Sequence, residues 1–142
     1  MWSESYSLGV KHIDDEHKKL FKIADELKEM ECRSVQREEF RKILYEIRYY
    51  LKEHFASEEK YMQELHYKGI VAHKLKHEKI IELFVGIMKS TKKLDIICLK
   101  LKKFINSSII NHIIYEDTKL NSVSEDKRED EPLETISDIN YV

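Results

Sequence analysis

His54-Phe55-Ala56-Ser57-Glu58-Glu59 and the later His73-Lys74-Leu75-Lys76-His77 decide how this chain folds. On a helix, residues four apart share a face. His54 with Glu58, and His73 with His77, therefore each aim two potential metal ligands in one direction. Working outward, His17 lies upstream and His112-Ile113-Ile114-Tyr115-Glu116-Asp117 downstream, so five of the seven histidines fall in one pattern. Five imidazoles with carboxylates exceed what one tetrahedral zinc needs and point to a two-metal site.

The rest of the composition supports helices. Only three Gly and one Pro (Pro132) interrupt 142 residues, which favours long helices over strands and turns. The length predicts a single domain, and 42% hydrophobic residues suffice for one core. Residues 121–142 carry seven acidic side chains against Lys127 and Arg128, a net −5 in a chain of net −2. The remainder is weakly positive and dispersed, which argues against a nucleic-acid partner. Met1-Trp2-Ser3-Glu4 lacks the features of a signal peptide, and no apolar run is long enough for a membrane span. A cytoplasmic protein with no membrane partner is expected.

Asp14 or Asp15 is read as the cap of a helix running to about Glu31, and Ser34 as the cap of a second, from Val35 to Leu65. A third is predicted over Ile70–Lys89 and a fourth over Leu94–Leu120. Short connections between them predict an all-α, up-down-up-down four-helix bundle over residues 1–120, with an arm over 1–13. The apolar stripes are Ile13-His17-Leu20-Ala24-Leu27, then Phe40-Leu44-Ile47-Leu51-His54-Glu58. The third helix gives His73-His77-Ile80-Phe84-Ile87, the fourth Leu94-Cys98-Leu101-Ile105-Ser108-His112. The candidate histidines thus lie on the core stripes, where unpaired polar groups are costly. His17 is early in its helix, His54 and Glu58 late, His73 and His77 early, His112 and Asp117 late. Alternating helix directions collect all seven at one end. His12 and His66 lie off the stripes and are expected in solvent.

One carboxylate is ambiguous. Glu116 is about 40° around a regular helix from His112, and Asp117 about 140°. Regular geometry favours Glu116; a widened last turn would admit Asp117.

With these residues in view, the chain resembles the hemerythrin family from about Trp2 to Leu120. The likeness rests on Gly9-Val10-Lys11-His12-Ile13-Asp14-Asp15-Glu16-His17, on His54 through Met62, on His73-x-x-x-His77, and on His112-Ile113 with Asp117. The single-domain length is similar to that of the bacterial members. The resemblance implies two iron ions in an oxo- or hydroxo-bridged, non-heme di-iron centre. His73, His77 and His112 would hold one, His17 and His54 the other, with Glu58 and Asp117 bridging. It thereby selects Asp117 over Glu116. It also implies reversible dioxygen binding, for storage, transport or buffering, at the iron with two histidines. The residues agree in part: no Glu stands three before any ligand histidine, as carboxylate-rich oxidase sites have, and Lys74 replaces the Glu of a His-Glu-x-x-His hydrolase. A non-enzymatic binder is therefore expected, ahead of an oxygen, nitric oxide or iron sensor acting through a partner, or a peroxide or nitric oxide reductase.

An oxygen pocket must exclude water. Phe55, Met62, Ile109 and Ile113 are candidates to wall it. The chain departs from the family's habit at Lys68, where a Pro often follows Tyr67, and at Ser108, where a Trp often precedes the histidine by four. Residues 121–142 are expected to be an acidic, disordered tail. Within it Leu133, Ile136, Ile139 and Tyr141 could dock a protein partner. Cys32 and Cys98 form no C-x-x-C pair and are expected as free thiols. Helical rise puts both about 21–23 Å from the metal layer, as neighbours at the far end.

Overall fold

The computed structural model describes residues 1–123. Four helices carry the fold: α1, Lys11–Glu29; α2, Arg37–Glu64; α3, Ile70–Ser90; and α4, Leu94–Phe104, which continues through π-helical segments Ile105–Ile110 and Ile113–Asp117. A last helical stretch covers 119–123. α1 packs on α2 and α4, and α3 packs on the same two helices, closing an antiparallel four-helix bundle. The expectations for residues 124–142, including docking through Leu133, Ile136, Ile139 and Tyr141, lie outside the described residues.

The stripe of α1 is buried as read: Ile13, His17, Leu20, Ala24 and Leu27 all face inward. In α2, Ile43 takes the inner place expected for Leu44, which is half-buried. In α4's extension, Ser108 is half-buried and Ile109 points inward instead. The cause is the π segment: the Asn111 N–H reaches back five residues to the Asn106 carbonyl, so each turn takes up more chain and the inward stripe falls one residue later.

Helix starts differ from expectation. α1 begins at Lys11 behind Val10 with no side-chain cap. Asp14 is used otherwise: it accepts from the Leu8 N–H at 2.8 Å and the Ser7 hydroxyl at 2.5 Å, pinning the N-terminal arm to the bundle. Asn121 donates to the Ser7 carbonyl at 2.9 Å, tying the last described helical stretch to the N-terminal arm. Ser34 does not cap α2; it closes the short 3-10 turn Cys32–Ser34, and α2 begins at Arg37.

α2 ends in a Schellman motif. The Tyr67 N–H bonds the Met62 carbonyl at 3.0 Å, and the His66 N–H bonds that of Gln63 at 3.1 Å. This requires a left-handed residue, supplied here by His66 at φ 54°.

The thiol expectation is corrected. Cys32 and Cys98 form a disulfide with 5.6 Å between Cα atoms. Spacing had brought them to one end; bonding follows because the Cys32–Ser34 turn packs directly on α4.

Candidate metal centre

The bundle's interior is apolar except at one level. There His17, His54, Glu58, His73, His77, His112 and Asp117 are all buried, with Glu58 and Asp117 at 0% exposure. Two acids so placed demand compensating charge, and the surrounding imidazoles alone must share protons to provide it.

The seven side chains form two groups around the carboxylates. Glu58 Oε1 lies 2.9 Å from His73 Nε2 and 3.0 Å from His77 Nε2, while its Oε2 lies 3.2 Å from both His17 Nε2 and His54 Nε2. Asp117 divides in the same way: Oδ1 is 3.0 Å from His73 and from His112, and Oδ2 is 3.0 Å from His17. Each carboxylate therefore gives one oxygen to a three-histidine group and the other to a two-histidine group.

The spacing within each group is diagnostic. Adjacent ligands of an octahedral ion, with bonds of about 2.1 Å, lie about 3.0 Å apart, against about 3.4 Å in a tetrahedron. Nearest neighbours here lie at 2.9–3.2 Å, including 3.1 Å from His112 Nε2 to both His73 Nε2 and His77 Nε2. His112 Nε2 and Glu58 Oε1, at 3.9 Å, stand more like opposite corners. Glu58 pairs with the His17, His73 and His77 rings, whereas both Asp117 oxygens lack a well-aligned partner although imidazole nitrogens lie at 3.0 Å. Cations between the groups would satisfy them.

π-helical geometry places Asp117 here. The i→i+5 pattern takes up more residues per turn than an α-helix and swings Asp117 toward the face of His112, where a regular helix would have carried Glu116. Glu116 instead turns out to Lys76 at 2.7 Å and Lys119 at 3.0 Å. His12 and His66 are exposed and stand apart from the cluster.

Two residues that sequence reasoning passed over orient the ligands. Glu16 accepts from His54 Nδ1 at 2.8 Å and from the Ser57 hydroxyl at 3.1 Å; Glu59 accepts from His77 Nδ1 at 2.8 Å. A proton held on Nδ1 leaves Nε2 with its lone pair facing inward, which is the form that binds metal. Trp2 was likewise unassigned. It sits 6.4 Å from the His17 ring and packs edge-on against Tyr6 and Phe21, sealing that side.

Of the pocket candidates, Phe55, Met62, Ile109 and Ile113 are all buried. Phe55 stacks flat on His77, with 3.9 Å between ring centres. Met62 belongs to a small separate cluster with Leu8, Ile13 and Leu120.

Electrostatics follow the same arrangement. Burial alone would lower the pKa of His54, but Glu16 and Glu58 outweigh it and lift the ring to about 10. His112 is lifted to about 9 against burial by Asp117 and Glu58. Burial would raise Glu58, yet the imidazoles of His112, His17, His54 and His73 hold it well below the usual carboxylate range.

An antiparallel four-helix bundle with a buried, nitrogen-rich, carboxylate-bridged ligand set defines a protein that binds a pair of cations, and this donor set fits a non-heme di-iron centre. The chain belongs to the hemerythrin family: residues 8–123 match the hemerythrin HHE cation binding domain. It is 34% identical over 116 residues to a bacteriohemerythrin of Campylobacter jejuni, covering 81% of this chain and 87% of that protein. A bacteriohemerythrin of Clostridium acetobutylicum is 35% identical over 85 residues, covering 58% of this chain and 66% of the relative. The myohemerythrin of Theromyzon tessulatum is 26% identical over 118 residues, covering 83% of this chain and 88% of that protein. No solved structure matches.

Proposed function

We propose that this chain binds dioxygen reversibly at a di-iron centre. His73, His77 and His112 hold one iron, His17 and His54 the other, and Glu58 and Asp117 join them. The observation that carries this reading is the division of both carboxylates, one oxygen to each histidine group. When bound, the iron pair would supply the two-electron chemistry that reversible dioxygen binding needs.

The chain's own residues supply the rest. The two-histidine group, His17 and His54, offers fewer protein ligands, so an iron held there would leave room for the gas. Neutral imidazoles donate weakly, which favours release over onward oxidation. Buried Phe55, Met62, Ile109 and Ile113, with Trp2 beside His17, keep the surroundings apolar and restrict water and protons.

The role is carriage, storage or buffering, without turnover. Among the described residues no helix is long and apolar enough to cross a membrane. We place the protein in the cytoplasm, without nucleic acid as a partner. Cys32 and Cys98 are 4% and 0% exposed, which shelters their disulfide from reducing thiols there. Residues 121–123 continue the last helical stretch, and the acidic remainder of the segment 121–142 is proposed to engage a protein partner.

Anaerobic metal analysis followed by oxygen titration tests this. Two irons per chain, with an absorption band that appears with oxygen and fades under vacuum, is the expected result. Irreversible bleaching at the first exposure would rule out a carrier, and sustained turnover of peroxide or nitric oxide with a chemical reductant would make it an enzyme.

A further inference from the structure

A groove of about 620 Å³ runs between α2 and α3 on the outer surface of the bundle. Its volume is that of a small-molecule site. The wall is apolar: Phe55, Ile81, Phe84, Val85 and Met88 line it, and Ile81 and Val85 are 39% and 40% exposed. Its charges are one-sided. Arg48, Lys52 and Lys89 edge it, with Glu59 the one acid, whose carboxylate already accepts from His77. None of the three cations has a carboxylate partner among the described residues.

The charges are also polarised along the groove. Arg48 and Lys52 precede His54 on α2, and Lys89 lies well beyond His77 on the antiparallel α3. Arg48 and Lys89 therefore sit at the metal-distal end with Lys52 about a turn nearer the middle, while Phe55 and Glu59 form the inner end beside His77. An apolar channel with cations at one end complements an acyl chain bearing a carboxylate. We propose that this groove binds a medium-chain fatty carboxylate, its head at Arg48, Lys52 and Lys89 and its chain directed toward Phe55.

The inner end touches the centre. Phe55 lies flat on one face of His77, and Glu59 holds the Nδ1 of the same ring. A chain pressing on Phe55 would shift both grips, so occupancy should be felt at His77. Binding stands on the groove alone; this coupling rests on the proposed assignment of His77 to iron.

Isothermal calorimetry of the full chain with decanoate tests the binding. One-to-one binding is expected, weakened about tenfold or more in the double variant Arg48→Glu, Lys52→Glu. Ala56→Trp, which fills the groove from an exposed position, should abolish it. Decanol and dodecyltrimethylammonium should bind far more weakly. Equal binding of all three amphiphiles, unchanged affinity in Ala56→Trp, or a dimer in sedimentation that decanoate leaves intact would each overturn the proposal. The visible spectrum of the iron-loaded protein, with and without decanoate, reads the coupling separately. Calorimetric binding without a spectral change would remove the coupling and keep the site.

Discussion

The outer nitrogen of an imidazole decides what the inner one can do, and Glu16 and Glu59 hold that outer nitrogen on His54 and His77. Glu16→Gln or Glu59→Gln should lower iron affinity about 10- to 100-fold with the fold intact, measured by competition with a chelator. Residue chemistry also separates the two neighbouring acids of α4. Asp117→Ala should lose iron, whereas Glu116→Ala, which breaks only the links to Lys76 and Lys119, should keep two irons per chain. Metal analysis of the purified variants decides. The raised histidines give a pH dependence whose sign can be worked out. His54 and His112 sit near 10 and 9 when folded, against an ordinary value of 6.5. Their protonation stabilises the iron-free protein fully below about 6.5, and that contribution is lost as pH rises through about 9–10. Iron must displace the same protons, so its affinity should rise over that interval. Melting of the iron-free protein should therefore fall from about pH 6 to about pH 10 while iron binding tightens; a flat melting profile would contradict both.

Among the elements, α2 and α4 carry the local irregularities that matter. His66 occupies a left-handed position that glycine fills more readily. His66→Gly should change stability by less than about 1 kcal/mol in urea unfolding, since relief of the strained φ is offset by the entropy glycine adds to the unfolded chain and by loss of the His66 side-chain interaction. How much could be read beforehand differs by element. The stripe of α1 and the placement of His17, His54, Glu58, His73 and His77 were legible because a 3.6-residue period and short connections fix them. Asp117 was not legible from period alone, since counting by regular turns rotates it away from His112; the family resemblance selected it, and the widened turn at Ile113–Asp117 supplies the physical reason. The same assumption put Ser108 on the core stripe in place of Ile109. Glu16 and Glu59 left no mark because they stand on half-exposed faces among many other acids, and only their hydrogen bonds single them out.

Across the whole molecule, two fastenings act at opposite ends. The Cys32–Cys98 bond closes a separation of 66 residues, for which loop-closure entropy predicts about 4 kcal/mol of stabilisation. Cys32→Ser with Cys98→Ser should lower the melting temperature markedly yet leave iron content unchanged, because the disulfide lies several helical turns from the ligands. Iron loading should raise the melting temperature independently by relieving the buried acids; equal melting with and without iron would contradict that. A bundle hooped at both ends behaves differently from one hooped at a single end. When iron departs, only the histidine-bearing rim is released, while the cystine keeps the first and fourth rods in register. Refilling with metal should then need only the rim to close again, the far end staying joined through Cys32 and Cys98.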